Sequence, residues 1–255
     1  MMRVFGVQLR KELTELWRTR KLIIVLAVLA GFGLMSPILA KITPDLIESL
    51  GEGQMEGVVI TIPEPTQKDA IDQLVKNISQ FGLLLAVLMS FGAIAGERER
   101  GQAALMFAHP LPREVFVAAK FAAQAIMFAA GLALGALGAY IYTAILFSAP
   151  PLGRYLALIG LMYVWLLCLI ALSLLASTLG RSMGSAGGLA FVLIVTLLLA
   201  GTFTNLAPGK LLEWGRAIAI RSDSPARWGA LAVTVGVAAL AFAASCAVLR
   251  RQEID

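Results

Sequence analysis

Six long runs without a charged residue take up more than half of this chain, and they limit its fold more than any other feature. The runs are Leu22–Ala40, Asn77–Gly96, Phe121–Gly153, Tyr155–Gly180, Ser182–Gly209 and Trp228–Leu249. A helix of about 20 residues crosses a hydrocarbon core about 30 Å thick. Because the bilayer core offers no water, the backbone must satisfy its own hydrogen bonds, as a helix does. The sequence therefore predicts an all-α polytopic membrane protein with six transmembrane helices.

Composition limits what else the chain can contain. Its 255 residues are 59% hydrophobic, with a mean hydropathy of +0.83. That leaves no room for a separate soluble domain, so we expect a single transmembrane domain over residues 1–255. Three polar segments stand out, namely residues 1–21, an insert at 41–76 and a loop at 97–114.

The distribution of charge predicts the orientation. If residues 1–21, 97–120, 181 and 250–255 lie on one side of the membrane, that side carries 13 Lys and Arg residues against 7 Asp and Glu residues. The other side carries 8 basic residues against 9 acidic ones. Lys and Arg accumulate on the cytoplasmic side of membrane proteins. We therefore expect both termini and the 97–114 loop to be cytoplasmic, and the 41–76 insert to be extracytoplasmic.

The N-terminal segment has the pattern of an amphipathic helix over residues 3–18. Its apolar residues recur at helical spacing, at Phe5, Leu9, Leu13, Leu16 and Trp17. Such a helix lies in the membrane interface with its basic side toward the lipid headgroups. The pattern fits a plain membrane anchor and also an anchor that contacts a cytoplasmic partner.

The insert at 41–76 contains two helix signals and one strand signal. Thr43-Pro44-Asp45 has the pattern of a helix start, and Val58–Ile62 that of a short strand. Thr66-x-x-Asp69 is a capping-box pattern. It predicts an amphipathic helix that runs into the second span and buries Ala70, Ile71, Leu74, Val75 and Ile78.

Two further patterns concern helices elsewhere. Leu211–Ile220 predicts a short surface or re-entrant helix after the fifth span. Small residues recur four apart at Gly131 and Gly135, Ser173 and Ser177, and Gly184 and Gly188. This spacing lets transmembrane helices approach closely, and we expect it to serve packing within the chain.

Several functional classes are disfavoured by what the sequence lacks. No charged residue lies in the middle of a span, whereas ion-coupled transporters need ionisable groups there. There is no P-loop motif and no Cys/His cluster with metal-ligand spacing. The G-x-S-x-G match at residues 180–184 lacks the strand–turn–helix and the later histidine that it needs, because His109 lies upstream. We therefore expect no catalytic residue, metal, cofactor or nucleic-acid partner in this chain.

The loop after the second span contains the most distinctive motif. Gly96-Glu97-Arg98-Glu99-Arg100-Gly101 places four alternating charges between two glycines. A short apolar stretch follows, and then Pro110-Leu111-Pro112-Arg113. This pattern fits a shaped protrusion held close to the membrane, and it also fits a solvated interfacial loop.

Together with Lys120, this loop resembles that of the permease subunits of type-2 ABC exporters. The similarity extends to an N-terminal Arg10-Lys11-Glu12-Leu13 interface helix, six spans and a terminal Arg250-Arg251-x-Glu253. The most similar subgroup includes the permease for nitrous oxide reductase maturation, antibiotic-resistance permeases and sodium-extrusion permeases.

The resemblance implies a type V, ABCG-like exporter fold in the bacterial cytoplasmic membrane. It implies that two permease copies dimerise and that each docks a separate ATPase subunit, which binds the ATP and Mg²⁺. The chain itself would then not be an enzyme. The expected coupling residues are Gly96, Glu97, Arg98, Glu99, Arg100, Gly101, Pro110, Pro112 and Arg113. We expect the Glu97 or Glu99 carboxylate to pair with basic groups of the ATPase, and the Arg side chains to pair with its acidic groups. The expected interface-helix residues are Arg10, Lys11, Glu12 and Trp17.

Two other functional classes remain open at this stage. One is a channel or facilitator that works without ATP. The other is a membrane scaffold or sensor that binds a ligand through the 41–76 insert. For a transporter, spans lined with Ala, Leu and Gly favour an apolar or amphipathic substrate.

Overall fold

A computed structural model describes residues 2–51, 63–101, 112–221 and 225–251. These residues form helices joined by short turns, and no strand occurs among them. The helices are α1 (Met2–Arg18), α2 (Lys21–Gly51), α3 (Gln67–Ser90), α4 (Ala95–Glu99), α5 (Arg113–Leu146), α6 (Leu152–Leu179), α7 (Met183–Phe203), α8 (Lys210–Ile220) and α9 (Trp228–Arg251).

Within the described ranges, six helical segments are long and apolar enough to cross a membrane, as predicted. They are α2, the combined α3–α4 segment Gln67–Glu99, α5, α6, α7 and α9. The chain is thus an all-α, multi-pass membrane protein. The helix α1 precedes the first span, and α8 lies between the last two.

Several helix boundaries follow the local signals in the sequence. The Thr66 backbone N–H donates to the Asp69 carboxylate at 2.7 Å, so the predicted capping box opens α3. All five apolar residues predicted for the buried face of this helix are buried. The predicted helix at Leu211–Ile220 is confirmed as α8. The connection between the fourth and fifth spans is a short turn, because α6 ends at Leu179 and α7 begins at Met183.

The predicted helix start at Thr43 is wrong, because α2 continues through it to Gly51. The Thr43 hydroxyl donates to the Leu39 carbonyl one turn earlier, as it does inside a helix, and does not cap a new one. Pro44 lies within the helix, as does Pro37. The strand predicted at Val58–Ile62 lies outside the described residues.

The hydrophobic core is centred on α6. This helix packs against α3, α5, α7, α8 and α9, and its buried side chains include Trp165, Leu166 and Leu169. Its Tyr155 hydroxyl donates to the Ala136 carbonyl of α5 at 2.7 Å. The helix α6 is therefore the central helix of the bundle and contacts most of the others.

Close packing of α2 against α5 depends on glycine. A methyl group at Gly135 would collide with the Leu29 carbonyl oxygen, and one at Gly33 would collide with the backbone of Gly135. Gly131 faces Leu29 and Val25 in the same way. The predicted packing role of the Gly131 and Gly135 pair is therefore confirmed. A methyl placed at Gly184 or Gly188 would meet no heavy atom of another described element within 4 Å, so this pair packs against no described helix.

Candidate functional site

Buried polar side chains gather at the end of the bundle that holds α1, α4 and the α6–α7 turn, which we call the α1 end. At the centre of this group the Lys120 ammonium on α5 bonds to two carboxylates. Its Nζ lies 2.7 Å from Oε1 of Glu97 on α4 and 3.0 Å from Oε2 of Glu12 on α1. The exposed fractions are 3% for Lys120, 3% for Glu97 and 6% for Glu12. Lys120, Glu97 and Glu12, here called the ion cluster, thus join three separate helices.

Neighbouring groups complete the surroundings of the ion cluster. The Gln8 amide donates to Glu12 at 3.0 Å, and the Lys120 Nζ lies 4.9 Å from the centre of the Phe116 ring. Lys11, which is partly exposed, places its Nζ 3.9 Å from the Glu97 carboxylate. One turn deeper on α5, Gln124 accepts a hydrogen bond from Ser90 of α3. Polar contacts therefore extend into the bundle for one helical turn.

These contacts correct one expectation from the sequence. The middle of each span carries no charged residue, from which no ionisable group inside the bundle was expected, yet the ion cluster buries three charged groups at the α1 end of the spans. Burying charges is costly unless they are paired and hydrogen-bonded. Here the carboxylates and the ammonium meet each other directly.

A cavity of about 30 Å³ adjoins the ion cluster. It is lined by Glu12, Glu15, Glu97, Lys120 and Gln124, among others. The second carboxylate oxygen of Glu97 is buried and makes no hydrogen bond within the described residues. Three carboxylates lie close enough together here to hold a metal ion, namely those of Glu12, Glu15 and Glu97. The Lys120 ammonium already supplies the positive charge between two of them, so the arrangement fits an ion pair better than a metal centre.

The helix α4 is fixed at its start by a side chain from α6. The Ser177 hydroxyl oxygen accepts hydrogen bonds from the backbone N–H groups of Ile94 at 2.9 Å and Ala95 at 3.0 Å. A helix start leaves such N–H groups without partners inside the helix. Ser177 therefore acts as an N-cap supplied from another helix. The second of the predicted packing serines thus positions α4.

The three charged residues that follow Glu97 also bond within the chain. The Arg98 guanidinium donates to the Gly180 carbonyl at 3.0 Å, at the end of α6. The Glu99 carboxylate accepts the Met183 backbone N–H at 2.9 Å, at the start of α7. The Arg100 side chain donates to the Gly96 carbonyl one turn back. Side chains at the α4 segment thus link α1, α5, α6 and α7.

The remaining predicted coupling residues occupy the edges of this arrangement. Gly96 is buried, and Gly101 has a φ of +70°, which favours glycine. Pro112 precedes α5, and Arg113 donates to the Leu249 and Arg250 carbonyls at the end of α9. Pro110 lies outside the described residues.

The expected pairing of Glu97 with an ATPase does not fit its position, because its carboxylate is buried against Lys120. Glu99 and Arg100 are exposed and remain candidates for contact with a partner. Along α1, the predicted interface residues Arg10, Lys11 and Trp17 are exposed, whereas Glu12 is buried. The face of α1 that packs on the bundle carries Gln8, Glu12 and Leu16.

The sequence reasoning missed the ion cluster and the cap from Ser177. The sequence analysis named Lys120 only as part of the family resemblance, as the residue at the start of the third span. One signal was present in α1, where Gln8, Glu12 and Leu16 recur every four residues and so share one face. The partners of Glu97 and Ile94 lie 23 and 83 residues away, and no local pattern identifies them.

The opposite end of the bundle holds a second polar network, which fixes α8. Arg216 pairs with Asp72 of α3 through two hydrogen bonds. Glu213 accepts from Lys210 at 2.6 Å and from Arg227 at 3.0 Å. Partial burial opposes ionisation of Glu213, but these hydrogen bonds outweigh it and lower the pKa of the carboxyl. Three of the four basic residues at 210–227, namely Lys210, Arg216 and Arg227, are thus paired with acidic groups of the same end.

Comparison of the sequence with known proteins places the chain in a family. A family model described as "ABC-2 family transporter protein" matches residues 8–214, which include the ion cluster and Ser177. The chain is also similar to the "Uncharacterized transmembrane protein YxlG" of Bacillus subtilis (strain 168). The two are 28% identical over 189 residues, which cover 72% of this chain and 71% of that protein.

Proposed function

We propose, since this chain belongs to the ABC-2 family of transporter proteins, that it is the permease subunit of an ATP-driven exporter. In this proposal two copies of the chain form the membrane unit, and each binds a separate ATPase subunit on the cytoplasmic side. The ATPase subunits bind ATP and Mg²⁺, and this chain provides the path across the membrane.

The observation that carries the proposal is the attachment of α4 to four other helices. Ion pairs and hydrogen bonds from this short helix reach α5, α6 and α7, and Lys11 of α1 lies 3.9 Å from its Glu97 carboxylate. Because so much of the α1 end is tied to this segment, a force applied there acts on several spans together. This is what a membrane subunit needs when the energy comes from a partner.

The orientation in the proposal places the α1 end in the cytoplasm. The excess of Lys and Arg in residues 1–21, 97–120 and 250–255 supports this. The exposed groups Glu99 and Arg100 then face the side on which an ATPase docks. The substrate in the proposal is apolar or amphipathic, because the span interiors offer few polar side chains and no charges outside the α1 end.

The test is co-purification with an ATP-binding cassette subunit encoded beside this chain. The full chain carries an affinity tag, and the amount of ATPase subunit that elutes with it is measured. The variant Arg100→Glu reverses an exposed charge at the α1 end and should reduce the bound ATPase several-fold. The matched control Arg154→Glu reverses a charge at the opposite end and should leave binding unchanged.

The same experiment separates this proposal from the other functional classes. A channel or a sensor would elute without an ATPase subunit. Equal binding by Arg100→Glu and the parent chain would show that the exposed part of the 97–114 loop is not the docking surface.

A further inference from the structure

The helices α1 and α4 are linked through the ion cluster. The helix α1 packs along α5 and touches the start of α2. Its connection to α4 runs through Glu12 and Lys120 to Glu97, with Lys11 also near the Glu97 carboxylate. Both carboxylates of the cluster share one ammonium, so the position of either helix affects how the other is held.

Burial makes this shared contact sensitive to small movements. Surface ion pairs are weak because water and salt screen them, but all three groups of the ion cluster are more than nine-tenths buried. Water therefore cannot replace Glu97 as a partner of Lys120 without opening the site. If α4 shifts, Glu97 moves away from Lys120. The electrostatic attraction that holds α1 through Glu12 and Lys11 then changes as well.

The unpaired oxygen of Glu97 points to a contact that is not saturated. A buried polar network is rigid when all of its groups are hydrogen-bonded, whereas a buried oxygen without a partner keeps an uncompensated desolvation cost. Here one Glu97 oxygen is bonded to Lys120, and the other is buried beside a cavity of about 30 Å³ with no hydrogen-bond partner in the part of the chain that the structure describes. The Glu97 side chain is thus incompletely hydrogen-bonded and has space beside it into which it can move.

We propose that Lys120 is a positioning residue that couples α4 to α1 through Glu97 and Glu12, which makes α1 a moving part of the transporter. In this mechanism α1 is more than a membrane anchor. Displacement of α4 takes Glu97 away from Lys120 and from Lys11 of α1, and α1 loosens on α5. This mechanism rests on the proposed function, in which an ATPase subunit displaces α4.

The first test uses the full chain in lipid nanodiscs without any partner. Backbone hydrogen exchange is measured over α1 in the parent chain, in Glu97→Gln and in Glu99→Gln. Glu97→Gln removes a charge from the ion cluster and should speed exchange in α1 by about tenfold, because exchange reports local opening. Glu99→Gln is the matched control, since Glu99 lies on the same helix but bonds to Met183. Equal exchange in all three proteins would overturn the proposal.

The second test uses the complex with its ATPase subunit and compares exchange with and without a non-hydrolysable ATP analogue and Mg²⁺. The parent complex should show nucleotide-dependent exchange both in residues 95–99 and in α1. The triple variant Glu12→Gln, Glu97→Gln, Lys120→Met leaves no buried charge unpaired, so it should still fold. It should keep the change in residues 95–99 and lose the change in α1.

The outcomes of the second test separate the two claims. A triple variant that keeps the nucleotide-dependent change in α1 would show that the ion cluster only stabilises the fold. If the parent complex shows no nucleotide-dependent change in residues 95–99, the proposed function fails. The first test decides on the link between α4 and α1 in either case.

Discussion

At the scale of single residues, the four charged side chains of residues 97–100 all bond to other groups of the same chain. Glu97, Arg98 and Glu99 each bond to a different helix, and Arg100 bonds to its own turn. Reversing Glu97 would place a second cation against Lys120 in a buried site. A docking experiment that reverses this residue would therefore also disturb the fold, and exposed Arg100 is the better probe.

Ser177→Ala is predicted to destabilise the start of α4. The change leaves the Ile94 and Ala95 backbone N–H groups buried without their shared acceptor, which should cost about 2 kcal/mol. Thermal unfolding in detergent and hydrogen exchange over residues 94–99 measure the effect. Ser173→Ala is the control, because the Ser173 hydroxyl on the same helix is buried and bonds to no other described residue. A similar loss in both variants would show that the cap contributes nothing.

Lys120→Met is predicted to be among the most damaging single substitutions in the chain. It leaves the buried Glu12 and Glu97 carboxylates facing each other without a cation, and removing one partner of a buried pair costs about 3–5 kcal/mol. The yield of monodisperse protein and its midpoint of thermal unfolding should both fall. Lys76→Met, at an exposed position on α3, should leave both near the parent values. Unchanged stability of Lys120→Met would mean that the ion cluster is weakly held.

At the scale of helices, the contact between α2 and α5 depends on the absence of side chains. Gly33, Gly131 and Gly135 let the two backbones approach closely enough that carbonyl groups of one helix touch the other. Lipid tails are as apolar as the side chains of the helices, so moving a side chain from lipid into a helix contact gains little free energy. Close van der Waals packing between the helices therefore drives their association. The same spacing at Gly184 and Gly188 has no such effect, because no helix of the described part of the chain faces it.

Gly135→Ala is predicted to push α2 and α5 apart. The added methyl would meet the Leu29 backbone, which cannot rotate away, and such overpacking costs about 1–3 kcal/mol. The midpoint of thermal unfolding should fall relative to the parent. Gly160→Ala is the matched control within α6, because open space surrounds a methyl there. It should match or exceed the parent, since alanine favours helix. Tolerance of Gly135→Ala would contradict the close approach.

At the scale of the whole molecule, the two ends of the bundle differ in how they are held. The charged contacts of the α1 end are buried in the ion cluster, whereas those of the opposite end are exposed ion pairs between α8 and its neighbours. Exposed pairs contribute little and weaken with salt. High salt is therefore expected to act on α8 before it acts on the ion cluster.

The predicted orientation places the α1 end inside the cell. In a chain with Cys168 and Cys246 replaced by alanine, a single cysteine is introduced at Lys68 or at Arg10. A membrane-impermeant maleimide added to intact cells should label Lys68→Cys and leave Arg10→Cys unlabelled until the membrane is opened. The reverse labelling pattern would invert the topology and place the 97–114 loop outside.

The sequence by itself determined the membrane class, the number of spans and several helix ends. These depend on local properties, since charge-free length decides what can cross a bilayer and a capping residue such as Thr66 decides where a helix starts. Glycine spacing was also visible, although it could not show that one pair packs a helix and another does not.

Only the tertiary structure decided what the charged residues do. Glu97 and Glu99 lie two residues apart in one motif, yet one is buried in an ion cluster and the other is exposed beside α7. The difference arises because α4 presents them to different helices, and those helices lie far away along the chain. Whether a charge faces solvent, a partner or a buried ammonium depends on contacts that exist only after the helices have packed.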